Sequence, residues 1–269
     1  YTKAYADWLY QNYAELRLSS PRMIYQALPR YRELMVSGKP NLVILLDNFN
    51  SKFLNNLTRY FQNEGFYREE LEYYISMLPS CTEVSKKSLV LGQPEPFSGT
   101  AYGTIVEETW TKALSKRKVC YLPHIKALRE IDKRQHDVYF LNYLPIDIAF
   151  HQDEEQVGIS HAQMTRSYMR ALASDVRAFA QRISAESDLN VIIISDHGST
   201  RIPEEAPNII DPKFFVKRIT DKHHRYVSIS DEELKALPDN IRYQCYIFEK
   251  DRFGLEENYL AAQHYYRFI

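Results

Sequence analysis

The feature that most constrains the fold is a set of strand-like segments that are apolar almost without interruption. Leu42 to Leu46 and Val191 to Ser195 are continuous runs of this kind, and Val138 to Leu144 is a third predicted strand. An uninterrupted apolar strand is buried on both faces, as strands are in a parallel sheet covered by helices. Helix-like segments separate these strands. We therefore expect an α/β fold with a mainly parallel central sheet and helices on both faces.

Two helix-like segments precede the first strand. Lys3 to Leu18 and Pro21 to Val36 carry apolar residues at the spacing of one helix face. We expect a helical extension over residues 1–40 and a single α/β domain over residues 41–269. Because the chain stops in mid-pattern, we expect this domain to be truncated at its C-terminal end.

Four further segments have a clear pattern. We expect a short strand at Leu71 to Met77, a helix from about Thr82 to Leu91 and a long amphipathic helix from Ser160 to about Ala185. A terminal helix is expected from Glu256 onward. Strands that alternate with helices in this way are typical of parallel sheets.

The composition excludes several classes of protein. The 34 lysines and arginines nearly balance the 35 aspartates and glutamates, so no overall charge marks the chain as a nucleic-acid or membrane binder. The longest apolar runs are far shorter than the roughly 20 residues of a membrane span. The three cysteines are too few and too scattered for a disulfide framework. We expect a cytoplasmic protein that holds any anionic substrate by local contacts.

Three aspartates lie at the ends of the predicted strands. Asp47 and Asp196 directly follow apolar runs, and Asp147 comes just after the third. Ligands of open α/β sheets bind at the carboxyl ends of the strands, so the three carboxylates should converge around a cation. The alternative is that each aspartate only caps the helix that follows it.

Two histidines accompany these aspartates. His151 lies four residues after Asp147, and His197 directly follows Asp196 in an S-D-H-G segment. Mixed oxygen and nitrogen ligands suit zinc or manganese better than magnesium or calcium. The sequence therefore predicts a zinc or manganese site.

Thr82 is the candidate nucleophile. It opens a predicted helix, where free backbone N–H groups and the helix dipole favour a phosphate. Two alternatives stay open: Thr82 is only an N-cap residue, or Ser80 takes the nucleophilic role.

A dense basic cluster, Lys222 to Arg225, follows the last of these strands. Such a cluster is usually a solvated run of charges. It is equally able to supply one more metal ligand, His224, and a guanidinium that pairs with phosphate, Arg225.

At these residues the sequence resembles the alkaline-phosphatase superfamily, and within it a PglZ domain. The resemblance runs from about Asn41 to the end and rests on four segments: L-L-D-N, L-P-S-C-T-E-V-S-K-K-S-L-V-L-G, N-Y-L-P-I-D-I-A-F-H and I-I-I-S-D-H-G. It implies two divalent metal ions. The ligands implied for the first are Asp47, Thr82, Asp196 and His197. The second would be held by Asp147, His151 and a later histidine, which is either His224 or a residue beyond Ile269.

The resemblance also implies a mechanism. The Thr82 oxygen would attack phosphorus in line, and a metal-activated water would then hydrolyse the covalent intermediate. Arg225 and Asn48 would bind the remaining phosphoryl oxygens. The implied activity is that of a phosphodiesterase or phosphatase, with nucleotides or oligonucleotides as possible substrates.

Two other functions remain open. The first is an interaction or signalling module of a phage-defence or response-regulator system, with protein partners and little or no catalysis. The second is a sulfatase or phosphomutase relative, which the threonine at position 82 fits poorly because a sulfatase of this superfamily carries a modified cysteine or serine there.

Overall fold

A four-stranded sheet, in which all strands are parallel, forms the centre of the molecule. The strands are β1 (Asn41–Leu46), β2 (Val119–Leu122), β3 (Val138–Tyr143) and β4 (Asn190–Ser195), in the order β2-β3-β1-β4. The structure, a computed structural model, describes residues 2–35, 38–78, 82–94, 102–114, 117–150, 152, 158–185, 188–198, 226–255 and 257–262. The predicted α/β fold with a parallel sheet is confirmed.

Eleven helices of the described residues surround the strands. They are α1 (Thr2–Ser19), α2 (Ala27–Leu34), α3 (Leu54–Asn63), α4 (Thr82–Leu91), α5 (Tyr102–Ala113), α6 (Ile125–Arg129), α7 (Pro145–Phe150), α8 (His161–Arg182), α9 (Asp231–Lys235), α10 (Asp239–Arg242) and α11 (Lys250–Phe253). Short 3₁₀ turns at Ile24–Gln26 and Ser51–Phe53 lead into α2 and α3. Within the described part of the chain, every helix is too short or too polar to span a bilayer.

Strand β1 shows why the sequence lacks the alternation of a half-exposed strand. Its side chains point alternately into two separate cores: Val43 and Leu45 into one, and Leu42, Ile44 and Leu46 into the other. All five are fully buried. A strand covered on both faces needs apolar residues at every position.

The two cores lie on opposite faces of the sheet and are covered by different helices. On the first face, Leu89 of α4 and Trp110 of α5 pack against the sheet residue Phe140 and its neighbours. On the second, Leu57 of α3 and Leu172 of α8 lie among the buried residues. Helices on both faces, as predicted, exclude water from the sheet.

A second, smaller sheet is antiparallel and replaces the predicted terminal helix. It consists of β5 (Tyr226–Ile229), β6 (Cys245–Phe248) and β7 (Asn258–Ala262), in the order β5-β7-β6. The helix predicted from Glu256 is therefore wrong. Strand β7 is hydrogen-bonded on both sides, to β5 and to β6, and this pairing outweighs the local helical pattern.

The strand predicted at Leu71 to Met77 is also wrong. This segment forms only one isolated bridge, between Met23 and Ile75. Its backbone bonds run from Ile24 N to Ile75 O (2.9 Å) and from Ile75 N to Arg22 O (2.7 Å). The segment thus pairs with the chain that leads into α2, outside either sheet.

The N-terminal helix α1 contacts parts of the chain that are distant in sequence. The Tyr10 hydroxyl donates to Ile247 O of β6 (2.6 Å), and the Tyr246 hydroxyl donates to Asp7 (2.9 Å). The Tyr13 hydroxyl accepts from the backbone N–H of Leu78, four residues before α4 (2.7 Å). Helix α1 therefore packs onto the small sheet and the approach to α4. The separation of residues 1–40 from the rest as a distinct unit stays a prediction.

Candidate active site

The three predicted aspartates lie at one edge of the parallel sheet. Asp47 directly follows β1, Asp196 directly follows β4, and Asp147 lies in the first turn of α7, just after β3. Because β1 lies between β3 and β4, with Leu46 in register with both Tyr143 and Ser195, the carboxyl ends of the three strands are level. Asp47 and Asp196 are buried, whereas Asp147 is partly exposed.

Asn48 connects the outer two of these aspartates. Its backbone N–H donates to Asp196 Oδ1 (3.3 Å), and its side-chain Nδ2 donates to Asp147 Oδ1 (3.1 Å). The residue has a positive φ of 60°, in the left-handed region that asparagine adopts more readily than most residues. This turn lets one residue bond to both neighbouring carboxylates. The substrate-binding role expected of Asn48 stays a prediction.

Thr82 comes from another part of the chain and meets the same edge. It is the first residue of α4, and its Oγ1 lies 3.1 Å from Asp47 Oδ1 and 2.9 Å from His197 Nε2. The hydroxyl proton can bond to only one of these acceptors at a time. The helix N-terminus beside it favours negative charge on the threonine oxygen.

His197 is held in place by its own backbone and by that of the next residue. Its N–H donates to Asp196 Oδ1 (2.9 Å), and its Nδ1 lies 3.0 Å from the Gly198 carbonyl oxygen. A carbonyl oxygen only accepts, so Nδ1 carries the proton and Nε2 presents its lone pair. The imidazole is therefore oriented with its basic nitrogen toward Thr82, Asp47 and Asp196.

The donor set fits a divalent cation. Asp47, Asp196 and His197 offer ligand atoms that lie within 4.8 Å of one another, and all three residues are buried. His197 Nε2 lies 3.7 Å from Asp47 Oδ1 and 3.6 Å from Asp196 Oδ2. A tetrahedron with bonds of about 2.0 Å has edges of about 3.3 Å, so these two distances would need only small shifts to fit zinc. Thr82 as a fourth ligand stays a prediction.

The pKa of Asp196 reflects the burial and the charges of this cluster. Burial, and after it the charge of Asp47, raises the pKa of Asp196 to about 6. Its Oδ2 is buried and has no hydrogen-bond partner among the described residues. A buried carboxylate oxygen without a hydrogen-bond partner is costly, and a cation is the group that would compensate it.

Lys86 belongs to the site although the sequence motifs did not single it out. Its Nζ lies 2.7 Å from Asp47 Oδ2, and the two side chains are only 8% and 3% exposed. The available signal was its position four residues after Thr82 in the same helix, which places both side chains on one helix face.

Several expected site residues lie outside the described residues. They are His151, His224, Arg225 and the alternative nucleophile Ser80. Of the residues expected to bind the second metal, the structure therefore describes only Asp147, which bonds to Asn48. A second metal site stays a prediction.

The sequence profile of the type I phosphodiesterase / nucleotide pyrophosphatase family matches residues 41–266. The chain belongs to this family. The protein is thus a phosphodiesterase or phosphatase enzyme of the alkaline-phosphatase superfamily, and the expected phosphoryl-transfer hydrolase activity is confirmed at that level. The family is metal-dependent, in agreement with the buried cluster of Asp47, Asp196 and His197. No curated protein matches the chain.

Proposed function

We propose that the protein hydrolyses phosphate diesters by metal-dependent phosphoryl transfer, with Thr82 as the nucleophile. The position of the Thr82 hydroxyl carries this proposal. Its oxygen lies within hydrogen-bonding distance of both Asp47 and His197, at the N-terminus of α4. A threonine that served only as a helix cap would need no contact with two potential metal ligands that follow separate strands.

The first chemical step is an exchange of bonds at phosphorus. The Thr82 oxygen forms a bond to phosphorus while the bond from phosphorus to the leaving alcohol breaks, and the hydroxyl proton ends on that alcohol. The N-terminus of α4 stabilises charge on the attacking oxygen. A divalent cation held by Asp47, Asp196 and His197 would supply further positive charge at this oxygen and at the phosphoryl group.

The second step hydrolyses the covalent intermediate and restores the free enzyme. Water attacks the same phosphorus, the bond to Thr82 breaks, and the threonine hydroxyl is restored with a proton from that water. The products of the cycle are one alcohol and one phosphate monoester. Before the first step, the contacts of the free Thr82 hydroxyl with Asp47 and His197 hold the attacking oxygen in position.

Further parts of the proposal extend beyond the described residues. We assign the first metal to Asp47, Thr82, Asp196 and His197, and a second to Asp147 with His151 and His224 or a later histidine. Zinc is the preferred ion for this mixed set of ligands, with manganese the alternative. Arg225 and Asn48 are assigned to the phosphoryl oxygens.

The family points to the substrate class. Its description names nucleotide pyrophosphatases beside phosphodiesterases, which supports nucleotides or oligonucleotides as substrates. The four sequence segments around the site support a PglZ-type domain, and hence a setting in phage defence or a response regulator with protein partners. We place the reaction in the cytoplasm, in keeping with the scattered cysteines.

A comparison of threonine variants tests the nucleophile. Turnover of bis(p-nitrophenyl) phosphate is measured for zinc- or manganese-loaded wild type, Thr82→Ala, Thr82→Ser and Thr111→Ala. Thr111 is an exposed threonine of α5 and serves as the matched control. We expect Thr82→Ala to lose at least about a thousandfold in kcat, as loss of a covalent nucleophile does elsewhere, whereas Thr82→Ser and Thr111→Ala keep measurable turnover.

Two results would count against the proposal. Full turnover by metal-loaded Thr82→Ala would remove Thr82 as the nucleophile. No turnover by metal-loaded wild type, on this substrate or on a panel of dinucleotides, would favour the interaction or signalling module.

A further inference from the structure

Lys86 forms a buried ion pair with a proposed metal ligand. Its Nζ contacts Asp47 Oδ2 at 2.7 Å, while the other oxygen of the same carboxylate, Oδ1, faces Thr82 at 3.1 Å. Lys86 and Thr82 are one turn apart on α4, so a single helix brings both groups to Asp47.

We propose that Lys86 is a resident counter-ion of Asp47, which stabilises the metal-free protein and lowers its affinity for the divalent cation. The first half of this inference concerns the chain alone, and the second half rests on the proposed metal-dependent function. Nothing in the family match assigns a role to this lysine.

The charges around Asp47 support the first half. The ligand atoms of Asp47, Asp196 and His197 lie within 4.8 Å of one another in a buried site, and two of these residues are carboxylates. The charge of Asp47 raises the pKa of Asp196, second only to burial, whereas His197 and Lys86 lower it. Lys86 thus provides positive charge at the place where the metal-free protein would otherwise hold two carboxylates together.

Because the ion pair is buried, the loss of one of its two charges should have a large effect on stability. Exposed ion pairs contribute little to stability, but removal of one partner of a buried pair leaves an uncompensated charge and is strongly destabilising. Replacing both partners by uncharged groups of similar size is commonly neutral or stabilising. Apolar residues could therefore replace an ion pair that only stabilised the fold. The presence of this pair beside the proposed metal ligands indicates an additional role.

The second half follows from electrostatics. A lysine charge bonded to one oxygen of Asp47 repels a divalent cation at the other oxygen, and this repulsion is weakly screened in a buried site. Without Lys86, the cation would no longer compete with this lysine charge for Asp47. A variant that lacks this lysine should therefore be less stable in its metal-free form, and its affinity for the metal should be higher.

The experiment compares three variants with wild type. They are Lys86→Met, the double variant Asp47→Asn/Lys86→Met, and Lys87→Met as the matched control at a partly exposed neighbouring lysine. Thermal melting is measured after treatment with a chelator. Zinc affinity is then measured by competition with a chromophoric chelator.

We expect Lys86→Met to lower the metal-free melting temperature by about 6–20 °C, and the double variant to recover most of this loss. Zinc should bind Lys86→Met at least about tenfold more tightly than wild type. Lys87→Met should resemble wild type in both measurements.

The inference is overturned if metal-free Lys86→Met melts like Lys87→Met, if the double variant is as unstable as Lys86→Met, or if zinc affinity is unchanged or lower in Lys86→Met. Should Lys86→Met fail to fold without metal, the double variant still decides, because a counter-ion role requires that it fold. Absence of zinc binding in every protein, wild type included, would contradict the proposed function and the second half, while the metal-free melts would still test the first.

Discussion

Replacement of Asp196 by asparagine should stabilise the metal-free protein and abolish its stabilisation by metal. The carboxylate accepts the backbone N–H groups of Asn48 and His197 through Oδ1, while Oδ2 is buried without a hydrogen-bond partner among the described residues. An asparagine keeps the oxygen that both N–H groups need and removes the charge. Asp196→Ala, in contrast, leaves these buried N–H groups without an acceptor, which costs about 1–3 kcal/mol per group.

The magnitude follows from the pKa of Asp196. Burial, with a further contribution from Asp47, raises this pKa from 3.8 to about 6. Each unit corresponds to about 1.4 kcal/mol, so the charged form costs the fold about 2–3 kcal/mol at pH 7. At about 2–4 °C per kcal/mol for a domain of this size, metal-free Asp196→Asn should melt about 4–12 °C above wild type.

The pH dependence has a defined sign. A carboxyl group whose pKa is higher in the folded than in the unfolded protein binds more protons in the fold between about pH 4 and pH 6. Its destabilising contribution is therefore complete above pH 6 and is lost as the pH falls toward 4. The melting temperatures of metal-free wild type and Asp196→Asn should converge when the pH is lowered from 7 to 5.

Differential scanning fluorimetry with a chelator and with added zinc measures these effects. Zinc should raise the melting temperature of wild type at pH 7 and leave Asp196→Asn unchanged. The reasoning is refuted if metal-free Asp196→Asn melts at or below the wild-type temperature at pH 7, or if zinc stabilises it as much as wild type.

Substitutions at three further positions distinguish residues that serve the site from residues that only stabilise the fold. In melting curves, Asn48→Ala should destabilise the fold by about 1–2 kcal/mol because the φ of this residue is positive, whereas Asn48→Gly should not. In turnover assays, both variants should lose activity equally because both lack the bond to Asp147. Ser160→Ala removes the capping box of α8 and should cost about 1 kcal/mol in thermal melting without changing zinc affinity. Trp110→Ala should reduce the free energy of unfolding in urea by about 3–5 kcal/mol, since this buried side chain packs on Phe140 and donates to Val90 O. A loss under 1 kcal/mol would contradict the described packing of α5.

The parallel sheet was predictable because its signal is local. An uninterrupted apolar run indicates a strand buried on both faces. The carboxyl end of such a strand faces the ligand, and the aspartate lies at that end. This places Asp47, Asp147 and Asp196 at one edge without knowledge of the strand order. Thr82 was accessible for a related reason, because the start of a helix is visible in the sequence.

The contacts that complete the site could not be predicted in this way. Lys86 looks like an ordinary helical lysine until the fold brings α4 against the end of β1. Asn48 bonds to Asp147 and Asp196, residues 99 and 148 positions away, and no local pattern reports such distances. The pairing of strand β7 with β5 and β6 is not visible in the residues of β7 itself, so its sequence pattern alone wrongly predicts a helix there.

The most direct test of the account is to trap the covalent intermediate. Zinc- or manganese-loaded protein is mixed with a nucleotide p-nitrophenyl diester, quenched in acid during turnover, digested and analysed by mass spectrometry. The account predicts that the peptide containing Thr82 carries the mass of one transferred nucleotidyl group, and that Thr82→Ala carries none. Turnover with no modified peptide, or with the group on Ser80 instead, would contradict it.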